Sequence, residues 1–231
     1  MRASRRNPES KPELKKKLDG RSAKAPLAKP EKAARAIGEV RIIGGSLKRS
    51  KLDILDRPGL RPTPDRVRET LFNWLAPHLE GARVLDLCAG TGVLGLEAVS
   101  RGAATVLLND ADAALTHKIA ADATRLKVAE RVRTSTRRGE ALLNETPNER
   151  FDVVFVDPPF DAALWTRLLF RLPGWLAPNA LVYLEHPRGI AAPFTDPWKI
   201  HRQAHAGSIA FYLLTRDPDS LFYPDSSEPA R

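Results

Sequence analysis

Apolar residues along most of the chain follow two alternating spacings, and these spacings predict strands that alternate with helices. Short apolar runs of strand length occur at five places: residues 83–88, 105–110, 131–136, 152–157 and 180–186. Helical spacing follows the first four runs, at residues 92–102, 111–127, 139–145 and 161–172. Strict alternation implies right-handed crossovers and a parallel sheet that is covered by helices on both faces.

The last part of the pattern is different, because two strand-like runs follow each other without a helix between them. The segment KIHRQAHAGSIAFYLLTR contains these runs, on either side of Ala206-Gly207-Ser208. Runs joined this closely should pair as a hairpin, so that one strand lies antiparallel to the others. The pattern therefore predicts an α/β fold with a mostly parallel sheet.

A smaller pair of elements precedes the sheet. Residues 40–55 (VRIIGGSLKRSKLDIL) have strand-like runs around Gly44-Gly45 and predict a hairpin. The following segment, RPTPDRVRETLFNWL, predicts a helix with Thr63 as its N-cap and Pro64 at its first position. Its arginines fall in the loop before the helix and on the predicted polar side of the helix: Arg61, Arg66 and Arg68.

The positive charge of the chain is concentrated at its N-terminus. The net charge is +9, and residues 1–36 hold twelve Lys/Arg against four Asp/Glu. This segment has few large apolar residues, so we expect it to be disordered. It is either a solvated extension or an arm that binds polyanions by displacing their counterions. The predicted organisation is a tail, a hairpin-and-helix module, a sheet domain and a second tail: residues 1–36, 37–80, 81–216 and 217–231.

Composition narrows the class of protein. Apolar residues make up 42% of the chain, which is enough for a substantial core. No apolar run approaches the ~20 residues that cross a bilayer, and the N-terminus has no hydrophobic region of a secretory signal. The single cysteine, Cys88, excludes an internal disulfide framework and fits a reducing compartment. We expect a cytoplasmic protein without a membrane span and without a metal site.

A glycine-rich motif follows the first strand of the sheet domain. In VLDLCAGTGVLG, Gly90, Gly92 and Gly95 form G-x-G-x-x-G, which by itself would also suit a nicotinamide-dependent oxidoreductase. Asp86 at the strand tip changes this interpretation, because its carboxylate would repel a pyrophosphate. The same carboxylate would attract the ammonium or sulfonium of S-adenosylmethionine (SAM). The motif predicts a SAM site in which Ala89 and Thr91 complete the loop.

An acidic residue at the end of the second strand supports a nucleoside ligand. Asp110 lies where a carboxylate can accept hydrogen bonds from both ribose hydroxyls. Asp112, close by, could instead cap the next helix.

The fourth strand ends in an unusual sequence, DVVFVDPPF. Prolines cannot continue a strand, so Asp157 and the carbonyls of Pro158 and Pro159 come to lie at its tip. A planar exocyclic amine could donate one N–H to Asp157 and another to a proline carbonyl, in a geometry that attacks an electrophilic methyl. Phe160 would provide a face on which the base stacks.

With these motifs the chain resembles the RsmD-type methyltransferases, which use SAM to methylate a guanine N2 in bacterial 16S ribosomal RNA. The resemblance extends from about residue 39 to residue 216 and includes these blocks: RIIGG, RPTPDRVRETLFNWL, LDLCAGTGVLGLEAVSRGA, FVDPPF, ALVYLEH and AGSIAFYLL. It implies a Rossmann-like class I fold with a seven-stranded sheet and an antiparallel last strand. It also implies SAM binding at Asp86, Gly90, Gly92 and Asp110, with S-adenosylhomocysteine (SAH) as product.

The chain departs from the pattern of this family in three places. Arg49 occupies a position in the hairpin where relatives usually have glycine. After the third strand, where relatives read the adenine of SAM with Asn or Asp, this chain offers Arg138 or Glu140. The N-terminal tail has no counterpart in the compact family pattern.

The resemblance implies 16S rRNA as the partner, within an assembling small subunit, for a monomeric enzyme. The predicted phosphate contacts are basic residues of the hairpin and first helix: Arg41, Lys48, Arg49, Arg61, Arg66 and Arg68. Several of them could instead pair with Asp53, Asp56 and Glu69. Other functions compatible with the motifs are methylation of adenine N6 or guanine N2 in DNA or another RNA, nicotinamide-dependent oxidoreduction and RNA binding without catalysis.

Overall fold

The computed structural model describes residues 35–60, 62–158 and 162–217. Most of the predicted tails, and the predicted site residues Arg61, Pro159 and Phe160, lie outside these ranges. The strands are β1 (Ala36–Arg41), β2 (Lys51–Leu55), β3 (Arg83–Asp86), β4 (Thr105–Asp110), β5 (Val132–Thr136), β6 (Phe151–Val156), β7 (Leu176–Pro187), β8 (Trp198–Ala206) and β9 (Ile209–Arg216). The helices are α1 (Asp65–Leu79), α2 (Val93–Ser100), α3 (Ala113–Arg125), α4 (Gly139–Leu143) and α5 (Ala162–Arg171).

The seven strands β3 to β9 form one sheet in the order β5-β4-β3-β6-β7-β9-β8. Neighbouring strands from β5 to β7 are parallel, whereas β9 runs antiparallel to both β7 and β8. A tight turn at Gly207-Ser208 joins β8 to β9, and Ala206 pairs with Ile209 across it. These observations confirm the predicted parallel sheet and its antiparallel C-terminal hairpin.

Helices cover both faces of this sheet. On one face, side chains of α1, α2 and α3 pack with alternate strand residues such as Val84, Val153 and Phe155. On the other face, α4 and α5 pack with the residues in between, such as Leu85 and Val154. Because successive residues of a strand point to opposite faces, a strand buried on both sides must be apolar throughout. This explains the continuous apolar runs of the sequence.

The N-terminal elements belong to the same compact body as the sheet. Strands β1 and β2 pair antiparallel, and their residues Val40, Ile42 and Leu52 enter the core that α1 shares with the sheet. All the described residues fall into one compact unit. The predicted hairpin is confirmed, but Thr63 is not the N-cap, because Pro64 occupies that position and no side chain caps the helix. Among the described residues, no helix has the length and apolar character needed to cross a membrane.

A buried ionic cluster fastens the hairpin loop to α2. Glu97 is fully buried, and its carboxylate accepts the backbone N–H groups of Ile43 (2.7 Å) and Gly44 (2.8 Å). Arg101 pairs with the same carboxylate at 2.8 Å, and Arg68 approaches it to 3.6 Å. A buried charge is tolerated only when it is paired and hydrogen-bonded, and both conditions are met here. The loop therefore has a fixed position on α2.

The structure corrects the prediction for Arg68. Its side chain is fully buried, and it donates to the carbonyls of Arg41 (2.8 Å) and Thr63 (3.1 Å) and to Asp65 (2.5 Å). It lies on the core side of α1, not on the polar side, and has no surface from which to reach a phosphate. The prediction that Arg68 contacts RNA is wrong, and its role is to join the hairpin to the helix.

Candidate active site

The predicted acidic residues come together at the carboxyl ends of adjacent parallel strands. Asp86 ends β3, Asp110 ends β4, and Asp157 directly follows β6, on the other side of β3. In open α/β sheets this edge is where ligands bind. The strand order therefore brings the predicted cofactor residues next to the predicted catalytic residue.

Asp86 is a buried carboxyl group that has a single hydrogen-bond donor among the described residues. It is 2% exposed, and it accepts the backbone N–H of Gly95 at 3.1 Å. Burial raises the pKa of Asp86 to about 7, the Gly95 N–H opposes this shift, and the charge of Asp110 adds to it. In the described part of the chain, Asp86 forms no ion pair with a Lys or Arg. The ammonium or sulfonium of SAM would supply a cationic partner.

The glycine loop uses its own N–H groups internally. The N–H of Gly90 donates to Asp110 at 2.9 Å, and the N–H of Gly92 donates to the carbonyl of Ala89 at 2.7 Å. With Gly95 bound to Asp86, these amides are not available to a pyrophosphate, which nicotinamide cofactors place at such a loop. The acidic edge and the occupied amides fit SAM and do not fit a dinucleotide.

Two glycines of the loop are required by backbone conformation and by packing. Gly90 and Gly92 have φ of +53° and +76°, a region that residues with a Cβ rarely adopt. A Cβ at Gly90 would lie 2.9 Å from Leu60, and one at Gly92 would lie 2.8 Å from Ile119. The loop is therefore tightly packed between α3 and the segment that precedes α1.

Other residues of the predicted cofactor site line the same edge. Ala89 is buried and donates its N–H to the carbonyl of Asn109 (2.8 Å), and the buried Thr91 hydroxyl accepts the N–H of Val93 (3.4 Å). Asp112 caps α3 by accepting the N–H of Ala114 (2.8 Å), as the alternative interpretation expected.

The two candidates for reading adenine differ in their surroundings. Glu140 is half-buried in the first turn of α4 and pairs with Arg167 at 2.6 Å, whereas Arg138 is exposed. Near them, burial and the charges of surrounding carboxylates raise the pKa of the Cys88 thiol well above its usual value. A thiol with this pKa is a poor nucleophile, so Cys88 does not suit the chemistry of a C5-cytosine methyltransferase.

Asp157 is half-buried and oriented by a hydroxyl group. Thr63 donates to its Oδ2 at 3.4 Å, and the following residue, Pro158, is buried. Burial raises the pKa of Asp157 well above its usual range, and the charges of Glu185 and Asp86 raise it further. Thr63, predicted as a helix cap, is thus a partner of the predicted catalytic carboxylate.

Glu185 is a further acid at this edge, and the sequence motifs did not predict it. It is 4% exposed near the end of β7, and its Oε2 accepts the hydroxyl of Tyr183 at 2.7 Å. Burial raises its pKa, although the Tyr183 hydroxyl opposes this shift. The available signal was the alternation in ALVYLEH, which places Tyr183 and Glu185 on the same face of a strand.

A segment between β2 and α1 lies along this edge of the sheet, and we call it the strap (residues 56–60 and 62–64). Arg57 pairs with Asp112 at 2.5 Å, after β4, and Leu60 lies against Gly90, after β3. Thr63 contacts Asp157, after β6. The strap therefore passes the tips of three adjacent strands, and it connects the basic hairpin to the acidic site.

Four predicted RNA-binding residues are available on the surface. Arg41, Lys48, Arg49 and Arg66 are exposed, and within the described ranges none of them forms an ion pair. Asp53 pairs with Lys118 instead of with any of these four.

The residue Arg41 also lines a groove that leads toward the acidic edge. This groove, of about 430 Å³, lies between β1 and the strap, and its lining includes Thr63. It therefore connects an exposed arginine with the hydroxyl that holds Asp157.

The sheet order, the acidic carboxyl edge and the glycine amides that are bonded within the protein are those of a class I SAM-dependent methyltransferase. Comparison with known proteins leads to the same class. A putative methyltransferase from Escherichia coli superimposes with a TM-score of 0.71 at 39% identity, over 78% of this chain and 99% of that one.

The family model described as Conserved hypothetical protein 95 matches residues 40–215, and the chain belongs to that family. Two relatives carry the name "Ribosomal RNA small subunit methyltransferase D". The relative from Escherichia coli is 43% identical over 78% of this chain and 91% of its own length. The relative from Haemophilus influenzae is 37% identical over 77% and 94%.

Proposed function

We propose that the protein transfers a methyl group from SAM to the exocyclic N2 amine of a guanine in 16S ribosomal RNA. The observation that carries this proposal is the position of Asp157, directly after β6 and beside the cofactor acid Asp86 on β3. The names of the relatives support ribosomal RNA of the small subunit as the substrate.

The residues that would hold SAM are the acids at the strand tips and the glycine loop. Asp86 faces the cationic amino-acid part, and the region around Asp110 receives the ribose. Glu140, at the start of α4, is the residue proposed to read the adenine. When bound, SAM supplies an electrophilic methyl group on its sulfonium.

Asp157 positions the amine that attacks this methyl group. Its carboxylate accepts one N–H of the base and so fixes the direction of the nitrogen, while the Thr63 hydroxyl keeps the carboxylate in place. Because its pKa is raised, Asp157 also suits the acceptance of the proton that the nitrogen loses after methylation. The proposed contributions of Pro158, Pro159 and Phe160 are a carbonyl acceptor and a stacking surface.

The exposed arginines and lysine of the hairpin and α1 would bind phosphates and direct the target base along the groove beside Arg41. We also propose that the substrate is an assembling small subunit, that the enzyme acts as a monomer, and that it works in the cytoplasm, where such subunits are made. A folded particle can present one guanine to a fixed basic surface, which naked RNA does less uniformly.

The test is nucleoside mass spectrometry of 16S rRNA from cells that lack the protein. We expect one N2-methylguanosine to disappear and to return when the wild-type chain is expressed. Purified protein with SAM should restore it in small-subunit particles from the deletion cells, more efficiently than in naked 16S rRNA. Loss of N6-methyladenosine, or no change in any rRNA nucleoside, would contradict the proposed substrate.

A further inference from the structure

Two carboxyl groups lie side by side where the target base would be held. In the register of β6 and β7, Val156 is opposite Leu184, so Asp157 and Glu185 come next on neighbouring strands. Phe155 and Tyr183 belong to the core beneath α1, and Asp157 and Glu185 follow them by two residues on that face. The mechanism proposed above uses only Asp157. Glu185 is a buried acid to which that mechanism gives no role.

The two carboxyl groups are held in the same way. A hydroxyl group orients each of them: Thr63 donates to Oδ2 of Asp157, and Tyr183 donates to Oε2 of Glu185. Within the described part of the chain, the second oxygen of each has no hydrogen-bond partner, and neither acid pairs with a Lys or Arg. Each therefore offers one free acceptor oxygen.

Carboxylates removed from water are costly unless they are paired, and each member of this pair has one hydroxyl donor and, among the described residues, no cationic partner. Their mutual repulsion contributes to the raised pKa of Asp157. A ligand with two adjacent N–H donors would stabilise both carboxylates at once. A ligand with one donor and one acceptor would leave a lone pair facing a carboxylate.

Guanine has such adjacent donors on its Watson–Crick edge, at N1 and at the exocyclic N2. Adenine presents one donor, at N6, beside a bare N1 acceptor. Enzymes that work on a single base read this edge by hydrogen bonds after the base has left its stack. Sites built around a hydrogen bond reject analogues that cannot form it, because the buried group of the protein is left unpaired.

From this arrangement we propose that Glu185 is a specificity-determining residue that accepts N1–H of the target guanine while Asp157 accepts N2–H. The assignment rests on the proposed function, since it names the group that selects the base for the same site. Tyr183 acts as a positioning residue for Glu185. An adenine would be rejected at Glu185, although its amine could still reach Asp157.

The test compares two bases at the methylation site, once that site has been mapped by mass spectrometry. Small-subunit particles are reconstituted with 16S rRNA that carries either guanine or 2-aminopurine there. 2-Aminopurine keeps the C2 amine but has a bare N1 acceptor. We expect the wild-type full-length protein to prefer guanine by at least ~100-fold in kcat/KM.

The variant Glu185→Gln can donate to a bare N1 through its amide. We expect it to lower kcat/KM for guanine and to narrow the guanine preference at least about tenfold, with SAH affinity within a few fold of wild type. 2-Aminopurine also lacks O6, but this loss affects the wild type and the variant equally. It therefore cancels when their guanine preferences are compared. Glu130→Gln is the charge-matched control, because the Glu130 side chain is 70% exposed in a short 3-10 helix, and it should keep the wild-type preference.

An unchanged guanine preference in Glu185→Gln overturns the assignment of Glu185 while leaving the proposed function intact. A wild-type product other than N2-methylguanosine overturns both. If Glu185→Gln does not fold, Tyr183→Phe takes its place, because it removes the donor that orients Glu185. Tyr183→Phe should also reduce the preference for guanine over 2-aminopurine, by a smaller factor than Glu185→Gln. An unchanged ratio of the two kcat/KM values again overturns the proposal.

Discussion

Asp157 carries the chemical step in the proposed mechanism, so its amide variant should lose turnover and keep cofactor binding. We expect Asp157→Asn to lower the single-turnover rate by roughly 10²–10⁴-fold, the usual contribution of a positioned acid or base. SAH affinity by calorimetry should stay within a few fold, because the glycine loop and Asp86 are unchanged. Asp152→Asn is the control: Asp152 is at the start of the same strand, where it pairs with Arg83. A single-turnover rate of Asp157→Asn close to that of the wild type would show that Asp157 has no role in the chemical step.

The pKa of Asp86 predicts a pH dependence of both stability and cofactor affinity. Folding raises this pKa from 3.8 to about 7, so between these values the folded protein holds a proton that the unfolded chain has released. The free energy of unfolding must therefore fall with rising pH in this window, by at most ~1.4 kcal/mol per pH unit for one proton. SAM affinity should rise over the same window, because the cation binds the ionised form.

Asp86→Asn tests this pH dependence. Relative to wild type, the variant should show a shallower decline of unfolding free energy between pH 4 and 7, measured by urea titration. The slope due to Glu185 remains in the variant and cancels in the difference. Loss of the Asp86 charge also lowers the pKa of Asp157, which makes the decline of the variant shallower still. Its SAM affinity should be weak and nearly independent of pH. A variant with the full wild-type pH dependence would show that another group is responsible.

The sequence predicts those site residues whose positions follow from a strand end or a loop. Asp86, Asp110 and Asp157 are examples, because a parallel sheet brings its carboxyl ends to one edge whatever the details of packing. Glu185 could not be predicted in the same way, since its approach to Asp157 depends on the register between β6 and β7. Nor could Arg68, whose burial depends on Glu97, a residue of another helix.

The cluster around Glu97 makes the hairpin, α1 and α2 mutually dependent. Glu97→Gln would leave Arg68 and Arg101 with less compensating charge in a buried setting. We expect the free energy of unfolding to fall by roughly 3 kcal/mol or more, as for other broken buried pairs. Glu69→Gln on exposed α1 surface should stay within about 0.5 kcal/mol of wild type in the same urea titration. Equal stability of the two variants would argue against a structural role for Glu97.

The elements themselves follow closely from periodicity, and β4 has the bounds that the apolar run predicts. The start of β7 does not. The strand begins at Leu176, before the predicted residue 180, and includes Pro178 and Asn179, which usually signal a loop. Asn179 has φ of +62° there, and the pairing with β6 shifts register between Phe151 and Val153. An irregular strand start of this kind depends on the partner strand, which the local sequence does not contain.

The backbone conformation of Arg49 allows one charge of the hairpin to be removed without loss of stability. Its φ is +72°, which fits the glycine that the family resemblance implies at this position and is strained for arginine. Arg49→Gly should leave the melting temperature unchanged or higher. If Arg49 binds a phosphate, the log–log salt slope of binding to small-subunit particles should fall by ~0.7–0.9. Arg202→Ala, on the exposed surface of β8, should keep the wild-type slope, and an unchanged slope in Arg49→Gly would exclude a phosphate contact.

Because the strap lies along the cofactor edge, the order in which ligands leave the enzyme should depend on it. Arg57 pairs with Asp112 at one end of the strap, and Leu60 lies against the loop that is proposed to hold the cofactor. RNA bound to the adjoining hairpin would keep the strap in its position along the cofactor site. Dissociation of SAH should therefore be slower in the RNA complex than in the free enzyme. Arg57→Ala should release SAH several-fold faster in stopped-flow experiments and reduce this retardation. Methylated RNA would then leave first, and each enzyme molecule would exchange its spent cofactor only between ribosomal particles.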